Sequence, residues 1–130
     1  MTVPSVSTQG RTWIAVCRLV FVSACAVTLT SAFVPPADAP HLFPWDKAEH
    51  FLAFYILSYI ACAAFPRLRP GPIILGMLLL GGVIEIVQGT PWIGRDRDFW
   101  DWVADATGVA FALAPLALAQ WRRRMSDGAA

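Results

Sequence analysis

Four long apolar segments constrain the fold of this chain more than any other feature. They lie at about residues 13–34, 47–65, 72–88 and 100–121. A bilayer core about 30 Å thick needs about 20 helical residues to cross it. Only helices and closed barrels satisfy every backbone polar group in lipid, and the ten-residue alternation of a barrel strand is missing here. The sequence therefore predicts an all-α integral membrane protein, a bundle of four transmembrane helices.

The composition agrees with lipid as the main solvent. Of the 130 residues, 57% are hydrophobic and 15% are charged, whereas a soluble domain carries about 25% charged residues. The net charge is +1, and the only basic run is Arg122, Arg123 and Arg124, so nothing indicates nucleic-acid binding. We expect one membrane domain over residues 13–121 with cytoplasmic tails at residues 1–12 and 122–130.

The first apolar segment has a second interpretation, a cleaved signal peptide. Ala37, Asp38 and Ala39 resemble a cleavage site. The apolar core of such peptides is only about 7–15 residues long. We therefore favour a retained helix, from which Arg18 extends its side chain to the headgroups.

The basic residues predict that both termini face the cytoplasm. Lysine and arginine collect in cytoplasmic loops. With the N-terminus inside, the inner segments carry six of them and the outer segments three. The inner set is Arg11, Arg67, Arg69, Arg122, Arg123 and Arg124, and the outer set is Lys47, Arg95 and Arg97.

In this orientation the acidic residues gather on the outer side. Eight acids against three bases leave a formal charge of −5 there, and Asp127 alone lies inside. The outer acids are Asp38, Asp46, Glu49, Glu85, Asp96, Asp98, Asp101 and Asp105. Acids contribute little to topology, so this bias needs another explanation.

Helix starts explain some of these acids. Asp46 and Glu49 have the spacing of a capping box, in which two side chains bond the first free backbone N–H groups. Asp98 and Asp101 stand similarly before the fourth segment, where the helix dipole also favours acids. Arg95 is open to two interpretations, pairing with neighbouring loop acids or a role in binding.

Two polar residues inside the apolar segments lie beyond the reach of capping. Glu85 is near a helix C-terminus, where the dipole disfavours an anion, and its depth predicts function. Gln88 follows at i+3 on the same face.

His50 lies one turn from Asp46 and needs a partner in lipid. Either a structural hydrogen bond, to Asp46 or another helix, or a proton-transfer or metal role would meet that need.

Asp105 belongs to a stripe on the fourth helix. Asp101, Asp105, Gly108 and Ala112 follow one another at spacings of four, three and four, so they share one face. The small residues in this stripe let another helix approach closely. We therefore expect both acids to point into the bundle.

Three segments together resemble the motifs of VanZ-like membrane proteins. Residues 46–51, DKAEHF, resemble the family's D-K-x-x-H-F, and residues 85–88, EIVQ, resemble its E-x-x-Q. Residues 95–108, RDRDFWDWVADATG, resemble its R-x-x-D-x-x-D-x-x-(A)-(N/D)-x-x-G. The likeness covers about residues 40–112.

The chain departs from that pattern at three positions. Phe54 stands where the family often has Tyr, which removes a hydroxyl group. Asp105 stands where many members carry Asn, which adds an acid. Ala112 lies where a second Gly is expected.

The resemblance implies a multi-pass protein of the bacterial cytoplasmic membrane. The family's named member is associated with resistance to the glycopeptide antibiotic teicoplanin. With the residue-by-residue interpretation, the motifs give one functional cluster. Its members are Asp46, Lys47, Glu49, His50, Glu85, Gln88, Arg95, Asp98, Asp101 and Asp105.

Three functions fit this cluster, and we favour the first. It is a non-enzymatic envelope protein that needs no cofactor and alters antibiotic susceptibility. It would do so by binding a membrane lipid, a cell-wall precursor or a partner protein at the outer leaflet. The second is a metal-dependent enzyme acting on a lipid-linked phosphate. The third is proton or ion translocation through Glu85 and Asp105.

The enzyme hypothesis requires a divalent cation. Carboxylates and an imidazole suit several metals, and Arg95 would hold the phosphate. A bare acidic site repels phosphate, so a metal would have to reverse the local field. The metal candidates are His50, Glu85, Asp101 and Asp105, with Asp46 beside them.

Overall fold

The computed structural model describes residues 8–35 and 42–128, and these ranges are helical apart from short connections. The helices are α1 (Thr8–Phe33), α2 (Asp46–Ala64), α3 (Pro70–Gln88) and α4 (Phe99–Gly128). Within these ranges there is no strand. The cleavage-like residues 37–39 and most of the proline-rich connector lie outside the described residues.

Three helices, α1, α3 and α4, are long and apolar enough to cross a membrane. α2 is outside that set. Its first turn carries Asp46, Lys47 and Glu49, which lower its mean hydropathy although the rest of the helix is apolar. The prediction of apolar, membrane-type helices is confirmed for three segments.

Two helices extend beyond the predicted segments. α1 begins at Thr8, so five residues of the expected N-terminal tail, residues 8–12, are helical. α4 continues to Gly128, so the helix extends through Arg122, Arg123 and Arg124 into the expected C-terminal tail. Arginine is a good helix former, so these residues end the apolar segment without ending the helix.

The closest packing in the bundle is between α2 and α4 at Gly108. A Cβ atom on Gly108 would collide with the carbonyl oxygen of Phe51 and lie 3.0 Å from the amide nitrogen of Tyr55. Asp101, Asp105 and Gly108 are buried, as is Ala112 one turn further. The prediction that this stripe faces the bundle is therefore confirmed.

The apolar core begins beside the small residues of this stripe, with Ala112 belonging to both, and extends toward the C-terminal end of α2. It joins Phe54 and Leu57 of α2 to Ile84 of α3 and to Val109 and Leu113 of α4. Each of these side chains is at most 1% exposed. In lipid such side chains stabilise the bundle through van der Waals packing and not by leaving water, so this core holds three helices together by close contact.

Arg18 joins α1 to the C-terminal end of α2. Its Nε donates to the carbonyl oxygen of Ala64 at 3.2 Å, and its guanidinium lies 5.6 Å from the centre of the Phe65 ring. The last carbonyls of a helix lack partners within the helix, and the dipole there favours a cation. Arg18 thus takes a backbone partner in place of the expected headgroup.

We predict that Gly108→Ala lowers the free energy of unfolding by about 1–3 kcal/mol, the usual cost of overpacking. The added methyl group meets backbone atoms of α2, which cannot turn aside as a side chain would. Thermal unfolding of the purified protein in detergent would measure the loss.

Gly76→Ala is the matched control, because nothing lies within 4 Å of a Cβ placed there. Alanine is the better helix former, so this variant should be as stable as the wild type or slightly more stable. Equal stability of both variants and the wild type would contradict the close approach.

Candidate functional site

His50 takes its partner from α4. Its Nδ1 lies 2.9 Å from Oδ1 of Asp105, and the two side chains are 11% and 0% exposed. Its Nε2 lies 4.0 Å from Oδ2 of Asp101. Of the alternatives for His50, the structure has the contact with another helix, while Asp46 is exposed at the helix start.

Lys47 forms ion pairs with both acids at the start of α4. Its Nζ donates to Oδ2 of Asp98 at 2.6 Å and to Oδ1 of Asp101 at 2.9 Å. Asp98 also caps α4, because its Oδ1 accepts a hydrogen bond from the amide of Trp100 at 2.9 Å. The capping prediction is thus confirmed for Asp98, whereas Asp101 binds a side chain of α2.

The contact with Lys47, and then the amide of Trp100, lower the pKa of Asp98. A carboxyl group with a lowered pKa in the folded state stabilises the fold at pH values above its ordinary pKa. This stabilisation is lost as the pH falls through the lowered pKa. Because Asp98 is exposed, its contribution is small.

The capping box predicted for Asp46 and Glu49 is wrong. The N-cap position is occupied by Trp45, which makes no side-chain cap, so Asp46 is already the first helical residue. Glu49 uses Oε1 to accept hydrogen bonds from the amides of Leu42 at 2.5 Å and Phe43 at 3.0 Å. Glu49 therefore fastens the segment before α2 onto the helix.

Glu85 and Asp105 are buried side by side beneath these pairs. They are 5% and 0% exposed. Both carboxylate oxygens of Glu85, and Oδ2 of Asp105, make no hydrogen bond of good geometry within residues 8–35 and 42–128, although the backbone amide of Asp98 lies close to the Glu85 carboxylate. One ligand atom from each of these residues and one from His50 lie within 4.8 Å of one another.

Gly81 makes room for this arrangement. It is buried one turn before Glu85 on α3, and a Cβ placed on it would lie 2.7 Å from Oδ2 of Asp105. Its role was not predicted. The only sequence signal is a glycine at i−4 from a buried acid, and many helix glycines have that spacing by chance.

Gln88 and Arg95 connect the site to α1. Both donate to the carbonyl oxygen of Ala32, Gln88 through Nε2 at 3.0 Å and Arg95 through Nη1 at 3.4 Å. Within the described part of the chain, no carboxylate forms an ion pair with Arg95, so it is not part of a loop pair. Ala32 was missed because its contribution is a backbone carbonyl in the last turn of a helix.

A cavity of about 320 Å³ lies between α1, α2 and the end of α3. Its walls are mainly apolar, with side chains such as Val27, Leu52, Ala53, Ile56 and Ile84. Polar side chains gather at its other end: Asp46, Glu49, His50, Gln88 and Arg95. The cavity is therefore amphipathic, and five predicted cluster residues line it.

No protein-family model, curated protein or solved structure matches the chain. The resemblance to VanZ-like proteins therefore stays a prediction. The structure brings its three motif segments together, since they form the start of α2, the end of α3 and the start of α4 with its preceding loop. What the site can do follows from the geometry above.

We predict that Lys47→Met lowers the free energy of unfolding by about 1–3 kcal/mol, because Asp101 would keep a buried charge without a partner. The side chain of Asp101 is only 9% exposed. Chemical unfolding in detergent at neutral pH would measure the change.

The double variant Lys47→Met with Asp101→Asn is the control. It removes the unpaired charge together with the lysine, so it should regain most of the lost stability. If the double variant is as unstable as the single one, the loss comes from the packing of the lysine stem and not from its charge.

Proposed function

We propose that this chain is a four-span membrane protein with both termini in the cytoplasm. α2 packs against each of the three more apolar helices, and Lys47 and Glu49 in its first turn are only partly exposed. The orientation is supported by the six basic residues on one side and the acidic cluster on the other. In this arrangement the cavity opens beneath the outer headgroups.

Labelling of single cysteines in intact cells tests this topology. Cys17, Cys25 and Cys62 would be replaced by alanine, and one cysteine would be placed at Trp92 or at Ser126, both of which are exposed. A membrane-impermeant maleimide should label Trp92→Cys in intact cells and Ser126→Cys only after permeabilisation. Labelling of both, or the reverse pattern, would refute the N-in, C-in arrangement.

We propose that the protein binds a membrane lipid or lipid-linked cell-wall precursor in this cavity without altering it covalently. The amphipathic cavity is the observation that carries the proposal. Its volume lies at the lower end of the range of about 300–1,000 Å³ for ligand pockets. The apolar walls suit the upper part of a lipid chain, and the polar end suits its headgroup.

The charges at the polar end favour a headgroup that bears both an anion and a cation. Arg95 and Gln88 supply donors from the α3 side, while Asp46 and Glu49 supply carboxylates from α2. A phosphate group would face Arg95, which is suited to phosphate by its planar set of donors. An ammonium group would face the two carboxylates.

The family resemblance adds a biological setting to this proposal. Its motifs supply nine of the ten residues of the predicted cluster, all but Glu49, and its named member is associated with teicoplanin resistance. We therefore place the protein in the bacterial cytoplasmic membrane, with an envelope function exerted through the bound lipid.

Native mass spectrometry of the full chain in detergent tests lipid binding. We predict that phosphatidylethanolamine binds more tightly than phosphatidylglycerol, which lacks the ammonium group. Arg95→Gln should weaken binding roughly tenfold or more, since a hydrogen bond to a charged group contributes about 1.5–3 kcal/mol. Thr28→Phe, which fills the cavity from α1, should also weaken it.

Each variant has a matched control. Arg97→Gln removes a charge from the same loop, and Val20→Phe adds the same ring to an exposed face of α1. Neither residue lines the cavity, so both variants should bind as the wild type does. If Thr28→Phe and Val20→Phe bind lipid equally well, the cavity is not the binding site.

A phenotype assay extends the same prediction to the antibiotic. Expression of the wild type in a teicoplanin-susceptible host should raise the inhibitory concentration, and Arg95→Gln at matched expression should not. An unchanged inhibitory concentration with the wild type would refute the resistance role while leaving lipid binding intact.

A further inference from the structure

Glu85 and Asp105 need a partner that the described residues do not supply. Their three free oxygens lie in the interior of a helix bundle, at side chains 5% and 0% exposed. Buried carboxyl groups are found paired, coordinated to a metal or neutralised by a proton, because an isolated charge costs far more than folding can offset. Lys47, the only lysine in the sequence, already bonds Asp98 and Asp101.

His50 completes a set of three ligands around this point. It comes from α2, Glu85 from α3 and Asp105 from α4, and one ligand atom from each lies within 4.8 Å of the others. Ligands at about 2.0–2.2 Å from one ion lie at most about 4.4 Å apart, which is close to this upper limit. Each of the three helices thus contributes one ligand.

The charges of this set balance those of a divalent cation. Two carboxylates and a neutral imidazole sum to −2, so the occupied site would be neutral. Neutrality matters here because a net charge is costly to bury at this depth. His50, Asp46 and Asp101 form a second possible set, but Asp101 is already paired with Lys47 and Asp46 is exposed.

We propose that His50, Glu85 and Asp105 bind one divalent transition-metal ion such as Zn²⁺ or Mn²⁺. An imidazole ligand favours these ions over Mg²⁺ and Ca²⁺, which prefer oxygen ligands alone. A metal-binding histidine usually has a carboxylate or carbonyl beside its other nitrogen. With Nδ1, which lies 2.9 Å from Asp105, as the ligand atom, the carboxylate beside the other nitrogen, Nε2, is that of Asp101 at 4.0 Å.

Gly81 provides a test of the geometry that leaves every ligand in place. Alanine at this position would put a methyl group 2.7 Å from Oδ2 of Asp105 and displace the carboxylate. Gly82→Ala is the matched control, because its Cβ would meet only the Trp102 ring, at 3.7 Å. The two variants differ by one residue on the same helix.

The experiment is a titration of the purified, chelator-treated full chain with Zn²⁺ and with Mn²⁺, followed by calorimetry and elemental analysis. We expect one ion per chain for the wild type and little competition from Mg²⁺. Glu85→Gln and Gly81→Ala should weaken binding by roughly tenfold or more, as changes around a metal site typically do. Gly82→Ala and Asp46→Asn should bind as the wild type does.

Circular dichroism and size-exclusion chromatography would verify that each variant is folded. No binding by folded wild type would overturn the site, and so would equal losses in Gly81→Ala and Gly82→Ala. Loss in Asp46→Asn with full binding by Glu85→Gln would move the ion to the other set. Arg95→Gln should bind metal normally, so failure of lipid binding and failure of metal binding are separate results.

Discussion

The contact between α2 and α4 at Gly108 is the constraint on which the site depends. The two backbones meet there because Gly108 has no side chain. One turn nearer the loops, the same approach brings Asp105 within 2.9 Å of His50. A larger residue at position 108 would separate the helices and leave both polar groups without their partner.

This packing forms two layers of acids, which differ in the groups that pair with their carboxylates. In the layer nearer the loops, Lys47 bonds Asp98 and Asp101. In the layer below it, Glu85 and Asp105 have only His50 as a basic neighbour among the described residues, and three of their oxygens make no hydrogen bond of good geometry.

Sequence patterns predicted the features that depend on one helix at a time. Apolar length indicated the helices, and spacing placed Asp101, Asp105 and Gly108 on one buried face. The capping box failed because α2 begins one residue earlier than its spacing requires, at Asp46 itself. α1 contributes the carbonyl oxygen of Ala32, which accepts from Gln88 and Arg95. This contact could not be predicted, because it depends on which helices are neighbours and because every residue has a backbone carbonyl.

The charge of the predicted functional cluster distinguishes a lipid-binding function from an enzymatic one. Six acids, Asp46, Glu49, Glu85, Asp98, Asp101 and Asp105, and two bases, Lys47 and Arg95, give a formal −4 with neutral His50. A headgroup with an ammonium group tolerates that field, because its cation meets the acids while its phosphate meets Arg95. A phosphate without a cation would be repelled unless a divalent ion raised the charge to −2 and bound its oxygens. Phosphate chemistry here would therefore require metal binding at His50, Glu85 and Asp105, whereas the proposed binding of a lipid that bears its own cation would not.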